Sequence, residues 1–139
     1  RPFPGCEAAL DALDADGARL AVCTNKPTDL AVALLDALGL TRRFDAVCGG
    51  DLVPVGKPDP ALLRLTLERA GGDPRRAVLV GDAAPDTGAA RNAGVPCIVV
   101  DWGYTETPPT ELGGDALISR FADLPATVLR LVAGAGAIR

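Results

Sequence analysis

The stretch Ala77-Val78-Leu79-Val80-Gly81-Asp82-Ala83-Ala84-Pro85-Asp86 constrains the chain more than any other. Its apolar run has the length of a strand and lacks polar alternation, the pattern of a parallel strand covered on both faces. Such a strand needs helices above and below it and reaches its parallel neighbour by a crossover. A glycine ends the run. Asp82 then stands at the strand end and Asp86 in the first turn of the next helix. Two carboxylates so placed suit Mg2+, which takes hard oxygen ligands, commonly one or two carboxylates completed by water and phosphate. A plain strand end followed by a helix N-terminus that favours negative charge accounts for the same two residues.

The rest of the chain repeats this alternation. Pro4 fits a first helical turn, with Cys6, Ala9, Leu10 and Leu13 on one face and Gly17 as a stop. Residues 19–23 read as a buried strand running into Thr24-Asn25-Lys26-Pro27. Thr28 or Asp29 then caps a helix whose Leu30, Leu34, Leu35 and Leu38 form one apolar stripe closed by Gly39. Residues 44–48 give a second strand, followed by Gly49-Gly50-Asp51 and by Val55-Gly56-Lys57-Pro58-Asp59-Pro60. Asp59 is a natural N-cap for a helix with Pro60 first and Leu63, Leu67 and Ala70 on its buried face.

After the strand at 77–80, a helix carrying Ala89, Ala90 and Ala93 stops at Gly94, and residues 97–100 form the next strand. Residues 101–114 have no period and form a loop, where Trp102 and Tyr104 either line a site or cover the end of the core. An edge strand at 116–118 and a helix at 124–132 close the chain. This order predicts an α/β fold: a doubly wound, Rossmann-like parallel sheet with right-handed crossovers. Ligands of such sheets collect beyond the carboxyl ends of the strands. Thr24, Lys57 and Asp82 each follow a strand, so the topology brings them to one edge.

Composition narrows the function. With 139 residues, 48% of them hydrophobic, the expectation is one core domain over residues 1–139. A net charge of -4 with no basic run argues against nucleic acid and anionic membranes, and no apolar run is long enough to span a bilayer. A small molecule is the expected partner. Cys6, Cys23, Cys48 and Cys97 fit neither metal nor redox spacing, and three lie in predicted strands, which points to reduced thiols and a cytoplasmic location. The chain has no histidine, which removes Ser-His and Cys-His chemistry. No strand is followed by Gly-x-Gly-x-x-Gly, so a dinucleotide site lacks support.

Phosphate chemistry fits what remains, because phosphoryl transfer is mainly positioning and charge stabilisation. Thr24 offers a hydroxyl to a phosphoryl oxygen, or serves a local turn. Lys26 and Lys57 are the two lysines among 14 basic residues, the others being arginine. A lysine before Pro58 is either a compact point charge for phosphate or a solvated loop residue. Lys26 is expected at the rim or in solvent.

Thr24-Asn25-Lys26-Pro27, Gly56-Lys57-Pro58-Asp59-Pro60 and Gly81-Asp82 with Asp86 resemble, in order, the second, third and fourth motifs of the haloacid dehalogenase superfamily. Cys23 before the first of these, Gly49-Gly50-Asp51 and Trp102-Gly103-Tyr104 are similar to its phosphoglycolate phosphatase branch. The resemblance implies catalytic roles for Thr24 and Lys57, phosphate binding by Thr24, Asn25 and Lys57, Mg2+ held by Asp82 and Asp86, and 2-phosphoglycolate as substrate. Ala83 departs from the serine common at that position.

The family's first motif, a strand ending in a nucleophilic aspartate and an acid-base aspartate two residues later, has no match. Asp14-Ala15-Asp16-Gly17-Ala18 comes nearest but closes a helix. The expected core is therefore incomplete, without its central N-terminal strand and cap. The chain begins at Arg1 and contains no methionine. We expect it to be the C-terminal part of a longer phosphatase, inactive and poorly folded alone. A sugar phosphomutase, one part of a split enzyme and a non-catalytic Mg2+/phosphate module are the alternatives. A dehalogenase does not use the aspartate pair, and a receiver domain carries its acidic pair first in the chain rather than last.

Overall fold

The computed structural model describes residues 4–103 and 106–134. Helix α1 (Cys6–Ala15) leads into strand β1 (Ala21–Cys23), α2 (Thr28–Leu38), β2 (Ala46–Cys48), α3 (Ala61–Ala70) and β3 (Leu79–Gly81). Then come α4 (Ala84–Ala93), β4 (Cys97–Val100), β5 (Ala116–Ile118) and α5 (Leu124–Gly134). Every strand pairing is parallel, as expected. Gly39, Gly71 and Gly94 follow α2, α3 and α4 with φ of 72°, 73° and 74°, so each helix ends in a left-handed turn that favours glycine.

The core has two halves, one on each face of the sheet. Cys97 and Val99 of β4 pack with Leu63 of α3 and Ala90 of α4, whereas Ile98 and Val100 pack with Ala9 and Leu13 of α1 and Leu124 of α5. That period of two is the strand's own, and it leaves β4 buried on both sides. Trp102 packs in the half under α1 and α5, its ring 4.7 Å from that of Phe121, and so covers the end of the core. Tyr104 lies outside the described residues.

The strands form two hydrogen-bonded groups, β1-β2 and β3-β4-β5, and no ladder joins β1 to β3 among the described residues. The backbone bonds show which edges this leaves. Asp45 N–H donates to Leu20 C=O and Thr24 N–H to Cys48 C=O, so the even-numbered residues of this segment face β2. Ala21 and Cys23 therefore direct their peptide groups away from β2. Leu79 N–H donates to Pro96 C=O in the same way, which leaves the peptide groups of Val80 facing away from β4.

Burial follows these open edges. The strand at 77–80 was expected to be covered on both faces, but the ladder runs over residues 79–81 and the Val80 side chain is 40% exposed. β1, also expected buried, is half-buried throughout. Neither strand has a neighbouring strand on its outer side among the described residues, and a side chain needs neighbouring strands as well as helices to leave water. The leucine stripe of α2 also divides: Leu30 and Leu34 are each 47% exposed, and the buried residue is Ala31. The α2 cap differs as well. Thr28 lies inside the helix, and Asp51 accepts from Thr28 N–H at 2.6 Å and from Thr28 Oγ1 at 2.8 Å. Asp59 accepts from Ala61 N–H at 2.9 Å, but it does so from one residue before the N-cap, a position that Pro60 takes instead of the expected first helical one.

Candidate active site

The segments after β1, β2 and β3 meet at one edge of the sheet, beyond the carboxyl ends of the strands. Lys57 stands at their junction. Its Nζ donates to Asp86 Oδ1 at 2.5 Å and to Cys23 C=O at 2.9 Å, and the side chains of Lys57 and Asp86 are only 8% and 11% exposed. A nearly buried ammonium group is stable only with a counter-charge and acceptors, and it has both here. Cys23 C=O is the last outward-facing acceptor of β1, so Lys57 also closes that strand edge.

Asp86 sits in the first turn of α4. Its second oxygen, Oδ2, accepts from Asp82 N–H at 3.0 Å and Ala83 N–H at 3.3 Å, which folds the strand-to-helix turn around the carboxylate. Gly81 makes room for it, since a Cβ there would lie 2.3 Å from Asp86 Cγ. Asp82 is half-buried, and its carboxylate makes no hydrogen bond or ion pair among the described residues. Gly103 packs against it: a Cβ on Gly103 would stand 2.2 Å from Asp82 Oδ2.

The segment after β1 is held from two directions. Thr24 Oγ1 accepts from Lys26 N–H at 3.2 Å, the local turn bond that the sequence allowed, and its own proton has no acceptor among the described residues. Asn25 turns to the lysine loop, its Oδ1 accepting from Lys57 N–H at 2.8 Å and its Nδ2 donating to Lys57 C=O at 3.0 Å. Thr28 Oγ1 also accepts from Gly49 N–H at 2.9 Å, tying the start of α2 to Gly49-Gly50-Asp51. Lys26 is exposed.

Two charges in the neighbourhood are set by their surroundings. The hydrogen bonds from Thr28 N–H and then from its hydroxyl hold the Asp51 carboxyl below its ordinary range. Burial is the largest effect on the Cys23 thiol and raises it, so beside the site Cys23 is a neutral wall rather than a nucleophile. Cys97 is pushed up to about 12, again chiefly by burial. All four cysteines are free.

Mg2+ fits the donors in part. Asp82 supplies one hard oxygen group with no other partner among the described residues, whereas both oxygens of Asp86 are already bonded. No group of three His, Cys, Asp or Glu side chains converges among the described residues. Among the described residues the carboxylate donors therefore number at most two, the usual complement for a magnesium ion shared with phosphate and water.

The structure thus brings Thr24, Asn25, Lys57, Asp82 and Asp86 together. Sequence reasoning missed the contacts that hold them, namely Asp51 at the start of α2, Gly81 and Gly103 against the aspartates, and Asn25 on the lysine loop. Gly49-Gly50-Asp51 and Trp102-Gly103 were visible as strings, but their partners are distant in the chain.

A sequence model described as haloacid dehalogenase-like hydrolase matches residues 1–94. The chain belongs to this family. Among curated relatives, the phosphoglycolate phosphatase of Agrobacterium fabrum is 51% identical over 133 residues, covering 95% of this chain and 57% of its own. The phosphoglycolate phosphatase of Caulobacter vibrioides is 47% identical over 131 residues, covering 94% and 55%. The chain spans a little over half the length of these relatives. A solved structure described as a predicted phosphoglycolate phosphatase from Haemophilus somnus superposes with a TM-score of 0.85 at 34% identity, over 91% of this chain and 57% of that one. CbbY from Rhodobacter sphaeroides, solved with xylulose-1,5-bisphosphate, gives 0.76 at 35% identity, over 87% and 55%.

Proposed function

We propose that this chain is the phosphate- and metal-holding part of a Mg2+-dependent phosphomonoesterase whose substrate is 2-phosphoglycolate. The observation that carries the reading is the nearly buried Lys57 ammonium group, fixed between Asp86 and the end of β1 at the sheet edge where Thr24 and Asp82 also stand. Lys57 offsets negative charge on the phosphoryl group and on an attacking carboxylate, and Thr24 donates its hydroxyl proton to a phosphoryl oxygen. Asp82 would hold Mg2+, which when bound adds positive charge beside the phosphate, and Asp86 adds a fixed negative charge while orienting Lys57.

The reaction is in-line attack by an aspartate carboxylate on phosphorus, breaking the ester P–O bond so that glycolate leaves with a proton from the acid-base aspartate two residues on; water then hydrolyses the phosphoaspartate to phosphate and free aspartate. The attacking aspartate would belong to a longer protein, on a strand that pairs with the edges of β1 and β3 that carry no ladder among the described residues. Free cysteines throughout agree with a reducing, cytoplasmic setting. No helix among the described residues is long and apolar enough to cross a membrane.

A sugar-phosphate substrate is the second reading. It is favoured by a solved putative beta-phosphoglucomutase from Thermotoga maritima, which superposes with a TM-score of 0.75 at 30% identity. Phosphate release from 2-phosphoglycolate and from hexose and pentose phosphates decides between them. We expect the protein that the gene encodes to hydrolyse 2-phosphoglycolate only with Mg2+, and the 139-residue chain alone to release no phosphate. Cooperative unfolding of that chain together with Mg2+-dependent turnover would refute its role as a dependent part.

A further inference from the structure

We propose that Asn25 is a positioning residue, setting the place of the Lys57 ammonium group rather than binding the substrate phosphate. The proposal rests on the reading of Lys57 given above. The Asn25 amide uses its acceptor on Lys57 N–H at 2.8 Å and its donor on Lys57 C=O at 3.0 Å. Reversing the amide would set donor against donor and acceptor against acceptor, so the two partners fix its orientation.

The lysine side chain then turns back to the segment it is tied to, reaching Cys23 C=O at 2.9 Å. Residue 57 is therefore fastened at both ends to residues 23–25, by its backbone and by its ammonium group. A lysine stem is flexible and its charge is a point, so the ammonium position depends on where the backbone is anchored. Two glycines permit the anchor. A Cβ on Gly56 would lie 2.5 Å from Asn25 Oδ1, and one on Gly50 would lie 2.6 Å from the Asn25 carbonyl oxygen. No other side chain supplies one donor and one acceptor at this reach: aspartate would set an oxygen against Lys57 C=O, and glutamine is one methylene longer.

The test uses the protein as its gene encodes it, with Asn25→Ala, the isosteric Asn25→Asp in case the alanine variant does not fold, Lys57→Met, and Asn25→Ala combined with Lys57→Met. Two readouts are taken: the 1H–15N correlation signal of the Lys57 ammonium group, and kcat and KM for 2-phosphoglycolate. Asn25→Ala is expected to move or erase the ammonium signal and to lower kcat by about 10²-fold, the cost of a misplacement near 1 Å. KM should change by less than about threefold, the mark of an interaction made in the transition state. In the Lys57→Met background the Asn25 change should cost nothing further, because both act through one group. A loss that multiplies onto Lys57→Met, or a raised KM with the ammonium signal unmoved, would overturn the proposal and return Asn25 to the phosphate. If the wild-type protein releases no phosphate, the phosphatase reading falls. The ammonium signal still decides the role of Asn25: displacement in the variant supports it and an unmoved signal refutes it.

Discussion

A Cβ atom on Gly103 would stand 2.2 Å from both Cβ and Oδ2 of Asp82, closer than side chains approach, so any larger residue there must push that carboxylate aside. Asp82 is also the acidic group of the site whose oxygens have no partner among the described residues. Gly103→Ala is therefore expected to weaken Mg2+ binding by at least about tenfold, the usual loss when the residues around a ligand are disturbed. Titration calorimetry with MgCl2 on wild type and variant measures it, and equal affinities would mean that Asp82 does not hold the ion. At this scale the residues of the candidate site were legible in the sequence, because Thr24, Lys57 and Asp82 each follow a strand, Asp86 lies in the first turn of the next helix, and the topology brings strand ends together. The supporting contacts were not. Nothing near Gly103 in the chain points to Asp82, and nothing near Asn25 points to Lys57; both contacts exist only once the loops have met.

At the scale of elements, periodicity located the helices well and their environment less well. The α2 stripe of Leu30, Leu34, Leu35 and Leu38 is helical in period, yet half of it faces water, because a moment along one helix does not say what stands opposite it. Its cap was sought in the neighbouring residues Thr28 and Asp29, as capping usually is. The structure supplies it from Asp51, across a loop. The hydrogen bonds that Asp51 accepts from Thr28 N–H and then from the Thr28 hydroxyl favour its charged form, which is why Asp51 stays ionised to lower pH than an ordinary aspartate. The sign follows from linkage: a folded-state value below the unfolded one stabilises the fold above about pH 4, and this stabilisation is lost as the pH falls through the folded value. Asp51→Asn, which keeps an oxygen acceptor but not the charge, should melt at a lower temperature than wild type at neutral pH. The two melting temperatures should converge as the solution is acidified through the lowered folded-state value of Asp51. Thermal unfolding across that range tests this, and a constant difference at every pH would show that the charge of Asp51 is not what matters.

For the whole molecule, the two hydrogen-bonded groups of strands explain both the burial pattern and the expected behaviour of the chain by itself. Parallel sheets are stable when both faces and both edges are covered. Here the faces are covered, by α3 and α4 on one side and α1 and α5 on the other, but the edges of β1 and β3 that turn toward each other carry peptide groups without a ladder. Lys57 Nζ covers one of them, Cys23 C=O. The N–H groups of Ala21, Cys23 and Val80 have no strand to pair with among the described residues, and Val80 is half in water. Their amide protons should therefore exchange with solvent orders of magnitude faster than those of Ile98 and Val99, which lie fully buried in β4 between two paired neighbours. In the longer protein of the proposal, a strand inserted between β1 and β3 would accept those hydrogen bonds, and the same three amides should slow toward the rate of β4. Exchange measured by NMR on the 139-residue chain and on the protein its gene encodes makes both comparisons. Slow exchange at Ala21, Cys23 and Val80 in the isolated chain would mean that β1 and β3 close on each other in solution, and the place proposed for the nucleophile strand would not exist.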